Sequence, residues 1–249
     1  MSTELADLLC RRAVSVTDAQ TRVHLFRSLL AELPVETLRE AVTVLVERAG
    51  MRDTAAQTAL LAAQIALLQR PEVLRVLHHE GARAEDDEPA EDGDAKPRED
   101  EEHKVPQYVP GRTLTLGERK ALARRPDRRQ IDRITRDPSP AVIELLLNNP
   151  RLTEDDVVRM CARRPNVPEV LTLVFANPRW SSRPRVRRSL ALNPNTPEPI
   201  VAAVVPLLSP EDLRAVAEDE RGAPAVRRRC LEVLARLPPI ADDPTGQVH

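Results

Sequence analysis

The stretch ALNPNTPEPIVAAVV, residues 191–205, holds a helix end, a turn and a helix start in succession. Asn193 precedes Pro194. Proline lacks an N–H and drives the residue before it out of the α region, so a helix arriving through Ala191 and Leu192 must stop there. Asparagine is one of the few residues that tolerates the left-handed backbone of a helix exit. Within the next few residues Thr196 can cap a new helix, with Pro197 at its first position and Glu198 in its first turn. Val201, Val204 and Leu208 then form its apolar stripe.

The same pattern recurs upstream. Pro165-Asn166-Val167-Pro168-Glu169 matches Pro194-Asn195-Thr196-Pro197-Glu198, and Pro150-Arg151-Leu152-Thr153-Glu154 is a looser copy. Asn149-Pro150, Asn177-Pro178 and Asn193-Pro194 share one form of the break, and Ala123-Arg124-Arg125-Pro126 returns as Ala162-Arg163-Arg164-Pro165. Ser209-Pro210-Glu211-Asp212 is the clearest helix start. Single helices of about 8–12 residues fit between these breaks. They carry the apolar clusters Val142/Leu145/Leu146, Val157/Val158/Cys161, Val170/Leu171/Val174, Leu190/Leu192, Val201/Val204/Leu208 and Leu231/Leu234. Helices this short are marginal alone in water and must stack on neighbours. Alternate breaks lie 28 residues apart (Pro150 to Pro178), 29 (Pro165 to Pro194) and 32 (Pro178 to Pro210), which predicts two helices per stacked unit.

The runs ALNPNTPEPIVAAVV, ARRPNVPEVLTLV and NNPRLTEDDVVRM resemble the leucine-rich repeat variant and HEAT-like helical repeats of bacterial proteins, over roughly residues 113–237. The resemblance implies a curved right-handed stack of helices. One member type carries a cysteine-ligated iron–sulfur cluster near its N-terminus. Cys10, Cys161 and Cys230 form no comparable cluster, so no cofactor is expected.

Ahead of the repeats the pattern is also helical. Thr17 can cap a helix with Val23, Phe26, Leu29, Leu30 and Leu33 on one stripe. Pro34 suits the first turn of the next, with Leu38, Val42, Leu45 and Val46 inside and Gly50 as its stop. Asp53 caps a third, whose broad Ala/Leu face over 54–69 is either bundle core or a self-association surface. Pro71 opens a last short helix closed by Gly81. Residues 1–81 therefore read as a small helical bundle. Residues 83–104 carry 4 Lys or Arg against 11 Asp or Glu and no Leu, Ile, Val or Phe, the composition of a disordered segment. The expected organisation is all-α: bundle 1–81, disordered acidic linker 82–110, HEAT-like α-solenoid 111–238 and flexible tail 239–249. The linker is a solvated spacer or an acidic arm that folds back on the Arg-rich half and competes with an anionic partner.

Aromatic residues are 2% of the chain and glycines number 7, against 23 prolines. That balance argues against a sandwich, a barrel or a doubly wound nucleotide fold. The three cysteines are odd in number and far apart, which fits a reducing cytoplasm. The start MSTELADLLCRR lacks the basic n-region and apolar stretch of a secretory signal, and no run reaches the roughly 18 apolar residues of a membrane span. A cytoplasmic protein without a membrane partner is expected.

Chemistry is sparse. His78 and His79 are adjacent, so on a helix they point about 100° apart and do not converge on a metal. Glu154-Asp155-Asp156 suits a helix N-terminus, where the macrodipole favours negative charge. Phosphate-binding glycine loops, nucleophile–base groupings and paired cysteine motifs are missing from the sequence. The chain is expected to be no enzyme and to use no cofactor or metal. Its strongest signal is arginine, 34 against 3 lysines. Arg124/Arg125 and Arg163/Arg164 fall at helix ends, where cations complement the dipole. Arg128/Arg129, Arg183/Arg185/Arg187/Arg188 beside Trp180, and Arg227/Arg228/Arg229 either merge into a basic strip or lie on a solvated face interlaced with acids. Trp180, in the inter-helix loop PRWSSRPR, is either a lid over the repeat core or an exposed anchor. The expected function is a non-catalytic protein–protein interaction scaffold or adaptor, with Trp180, Arg183, Arg185, Arg187 and Arg188 as partner site. The alternative is nucleic-acid binding along an Arg-rich strip, and self-association through 1–81 is the further expectation.

Overall fold

Proline and asparagine punctuation divides the chain into short helices, and every regular element among the described residues is helical. The computed structural model describes residues 2–68, 70, 112–125 and 127–236. The acidic linker 82–110, the tail 239–249, the helix expected after Pro71, and His78 and His79 lie outside them.

Four helices form the N-terminal bundle: α1 (Ser2–Ser15), α2 (Ala19–Leu30), α3 (Val35–Gly50) and α4 (Thr54–Leu67). Asp18, and not Thr17, caps α2, accepting the Thr21 N–H at 2.6 Å. Asp53 caps α4 as expected, accepting the N–H groups of Ala55 and Ala56. Gly50 is still helical, and the left-handed residue that turns the chain is Arg52, at φ 64°. Helix α4 packs against α1, α2 and α3. Its small side chains Ala56, Ala59, Ala62, Ala63 and Ala66 are buried and allow close approach, while Leu60, Ile65 and Leu67 fill the space between. The broad apolar face over 54–69 is therefore core, covered from within the chain. Burial of each large aliphatic side chain contributes about 1.5–3 kcal/mol.

The repeats comprise α5 (Leu116–Arg124), α6 (Arg128–Ile134), α7 (Pro140–Leu147), α8 (Glu154–Ala162), α9 (Pro168–Ala176), α10 (Pro178–Ser181), α11 (Pro184–Leu192), α12 (Glu198–Val204) with a 3₁₀ turn at 205–207, α13 (Pro210–Glu218) and α14 (Pro224–Arg236). Alternate helices pack side by side. One row runs α5, α7, α9, and the other runs α8, α11, α13, α14. The result is an array of short interlocking helices consistent with a solenoid. Helix α8 starts at Glu154 and α11 at Pro184, and α9 starts at Pro168 and α12 at Glu198. Both pairs are thus 30 residues apart, one more than the matched Pro-Asn motifs suggest.

Three local expectations need correction. Asn177 and Asn193 have extended backbones (φ −87°, ψ 110° and φ −86°, ψ 119°), the region imposed by the following proline, and not the left-handed one. The loop PRWSSRPR contains the one-turn helix α10, opened by Asn177, which accepts the Arg179 N–H at 3.1 Å. On α14 the buried position is Cys230, while Leu231 is 57% exposed.

The bundle and the repeats touch. Helix α10 packs against α2 and α4, and the turn at 205–207 packs against α3, so one continuous apolar core runs through both parts.

Candidate interaction surface

Each unit is tied to the next through its breaks. Asn149 and Asn193 are buried beside their prolines. Asn149 Nδ2 donates to the Ala123 and Arg124 carbonyls at the end of α5, at 2.9 and 3.0 Å. Asn193 Nδ2 donates in the same way to the Cys161 and Arg163 carbonyls at the end of α8, at 2.5 and 2.8 Å. Each Oδ1 accepts the N–H two residues on, that of Arg151 or Asn195, at 2.9 Å. A helix C-terminus leaves carbonyls without intrahelical partners, and a neighbouring unit's amide supplies them here. Asn166 and Thr196 perform a second repeated task, donating six residues back to the Met160 and Leu190 carbonyls at 2.8 and 2.7 Å. The sequence marks Asn149 and Asn193 as helix exits, a role of backbone geometry alone. Their recurrence beside apolar residues was the available sign of buried amides.

Trp180 takes the lid position. It is 3% exposed, its indole N–H donates to the Leu147 carbonyl at 2.8 Å, and the Arg179 guanidinium stacks on its ring at 4.3 Å from the centroid. Arg179 also donates to the Asn149 and Leu152 carbonyls. An exposed Trp180 anchor is thereby removed from the expected partner site, because the ring is needed inside, where α10 meets α2 and α4.

The four arginines of α11 and its cap part company. Arg187 turns inward and donates to the Ser181 and Ser182 carbonyls, and burial lowers its pKa, with Asp212 opposing the shift. Arg185 pairs with Asp155 at 2.6 Å and Arg188 with Asp212 at 3.4 Å. Arg183 is exposed and meets no acid among the described residues.

The pairs follow a rule. Helix α11, basic, lies between α8 and α13, whose first turns carry Glu154, Asp155 and Asp156, and Glu211 and Asp212. The arginine clusters therefore do not merge into one strip along these helices, because acidic helices alternate with them. The centre of the alternation is Asp156. Its side chain is fully buried, closes a capping box with Thr153, and receives Arg128 at 2.5 and 2.8 Å and Arg159 at 2.6 Å. Burial alone raises its pKa, but the hydrogen bonds from Arg128, Thr153 and Arg159 prevail and hold the carboxyl far below the ordinary range. The acidic run at 154–156 thus caps α8, as its position suggests, and also locks α6 to α8. Cys161 and Cys230 are buried, and desolvation pushes their thiols up to about 12 and about 11.

Among the described residues no group of three or more His, Cys, Asp or Glu side chains is arranged to hold a metal ion, and no helix is long and apolar enough to cross a membrane. What the molecule presents is an all-helical, repeat-like array with a helical bundle packed on it. No family model, curated protein or solved structure matches the chain.

Proposed function

We propose that the chain is a non-catalytic interaction scaffold of the cytoplasm, whose helical repeats, of the HEAT-like or leucine-rich-variant kind, hold another protein. The observation that carries this reading is the interlocking of successive units through Asn149, Asn193 and Trp180, which repeats the same break along the array. Such a stack presents equivalent positions at regular intervals on a rigid support, the geometry that recognition of an extended partner surface requires. The link from fold to function is analogy at the level of architecture.

The pairing of Arg185 and Arg188 and the inward turn of Arg187 favour this reading over nucleic-acid binding along α11. The test is capture of partners by the tagged full chain from lysate, with and without nuclease, followed by mass spectrometry. Stoichiometric proteins that survive nuclease support the scaffold. Loss of every captured component on nuclease treatment overturns it in favour of nucleic acid.

A further inference from the structure

Beyond the paired arginines of α11, exposed arginines without an acidic partner among the described residues recur along one edge of the first three units. Arg125 ends α5 and Arg129 sits in the first turn of α6, both exposed. The end of α5 is bonded to Asn149, two residues before the exposed Arg151. Asn149 and Leu152 accept the Arg179 side chain, and the helix that begins there leads directly to exposed Arg183. Arg124, Arg125, Arg129, Arg151 and Arg183 therefore line consecutive unit ends, and none has an acidic partner among the described residues. The acids of this edge are largely engaged: Asp127 caps α6, Asp155 holds Arg185, and Asp156 holds Arg128 and Arg159.

We propose that this edge is the docking site of an extended acidic segment of the partner protein, a proposal that rests on the scaffold reading and gives it a location and a chemistry. Guanidinium groups pair bidentately with carboxylates. Packed helices lie about 8–10 Å apart, and a polyproline II segment advances about 9 Å per three-residue turn with every third side chain on one face, so acids at every third position meet successive unit ends. Two observations set nucleic acid second. The described aromatics Phe26, Phe175 and Trp180 are all buried, which leaves no platform there for stacking the bases of a single strand. The chain as a whole carries a formal charge of −2, so a long polyanion gains no net attraction from the rest of the molecule, whereas a short acidic segment needs only these arginines.

The test uses the full chain and three fluorescent probes in anisotropy titrations at low salt: a peptide of about twelve residues with Glu at every third position, its Gln counterpart, and a DNA duplex of about 20 base pairs. The Glu peptide is expected to bind more tightly than either other probe. Combined Arg125→Gln, Arg129→Gln and Arg151→Gln should weaken it about tenfold, and Arg151→Gln alone about twofold to threefold. Combined Arg214→Gln, Arg221→Gln and Arg228→Gln, equally exposed elsewhere, should change it less than about twofold. Equal loss in both triple variants, failure to distinguish Glu from Gln peptide, or tighter binding of the duplex overturns the proposal. If the Glu peptide fails while the triple variant still captures every nuclease-resistant protein, the edge is wrong and the scaffold reading stands. If the Glu peptide binds as expected but lysate yields nothing that survives nuclease, it is the scaffold reading that fails.

Discussion

Asn193 performs work that no apolar residue of its size can do. Its amide stands between two carbonyls of α8, and the residue is 2% exposed, so water cannot replace it. Asn193→Ala should destabilise the chain by about 2 kcal/mol, because the lost bonds leave buried acceptors without donors. Asn193→Asp is nearly isosteric yet should be worse, since its carboxylate places negative charge against those carbonyls. Urea denaturation of both variants checks the order, and Asp milder than Ala would refute the amide's role. Asp156 gives a second prediction. Its folded pKa is depressed below the ordinary 3.8, so its stabilisation is complete above that value and declines as the pH falls below about 4, where the unfolded chain takes up the proton first. Asp156→Asn should cost about 2–3 kcal/mol at neutral pH and flatten the acid limb of stability, measured by thermal melts from pH 7 to about 2. An unchanged acid limb would show that Asp156 does not govern it.

Between elements, short helices are held by two kinds of force with unequal weight. The apolar rows supply most of the stabilisation, and the ion pairs between α8, α11 and α13 add a smaller contribution. Arg185 and Asp155 are both about two-thirds exposed, so breaking the pair with Arg185→Glu should cost less than about 1 kcal/mol. The exchange Arg185→Glu with Asp155→Arg should restore most of that loss. A double-mutant cycle measures the coupling, and a coupling near zero would leave the alternation of charge without energetic meaning. The breaks themselves were legible in the sequence, because proline acts on its own helix and on the residue before it. Asp53 and Ser209 were legible as caps for the same reason: a cap is a local event. What the sequence could not show is where a side chain points once units stack. Arg187 and Arg188 are neighbours of one type, yet one turns inward to two carbonyls and the other outward to Asp212. Trp180 is ambiguous for a related reason, since only contact with Leu147 and the bundle decides between lid and anchor.

At the scale of the whole chain, composition separates a bundle from repeats, but their contact depends on surfaces that no local pattern encodes. Helix α10 bridges the two: it receives the Asn177 cap, carries Trp180, and lies against α2 and α4. Its four residues are too few to be stable alone, so α10 is held by what packs around it. Trp180→Ala removes a buried ring and its hydrogen bond to Leu147, and should cost about 3–5 kcal/mol. Because the apolar core is continuous, that loss should not stay in the repeats. Calorimetry of the wild-type chain should show one cooperative transition, and Trp180→Ala and Leu45→Ala, a fully buried substitution in the bundle, should each lower it as a unit. Amide exchange then distinguishes the mechanism. Leu45→Ala should weaken protection in α7 and α9 as well as in α3, because the repeats lean on the bundle through α10 and the 205–207 turn. Two separate transitions, with each substitution moving only its own, would mean that the contact is too weak to couple the halves. The edge formed by Arg125, Arg129 and Arg151 would then rest on the stacked units alone.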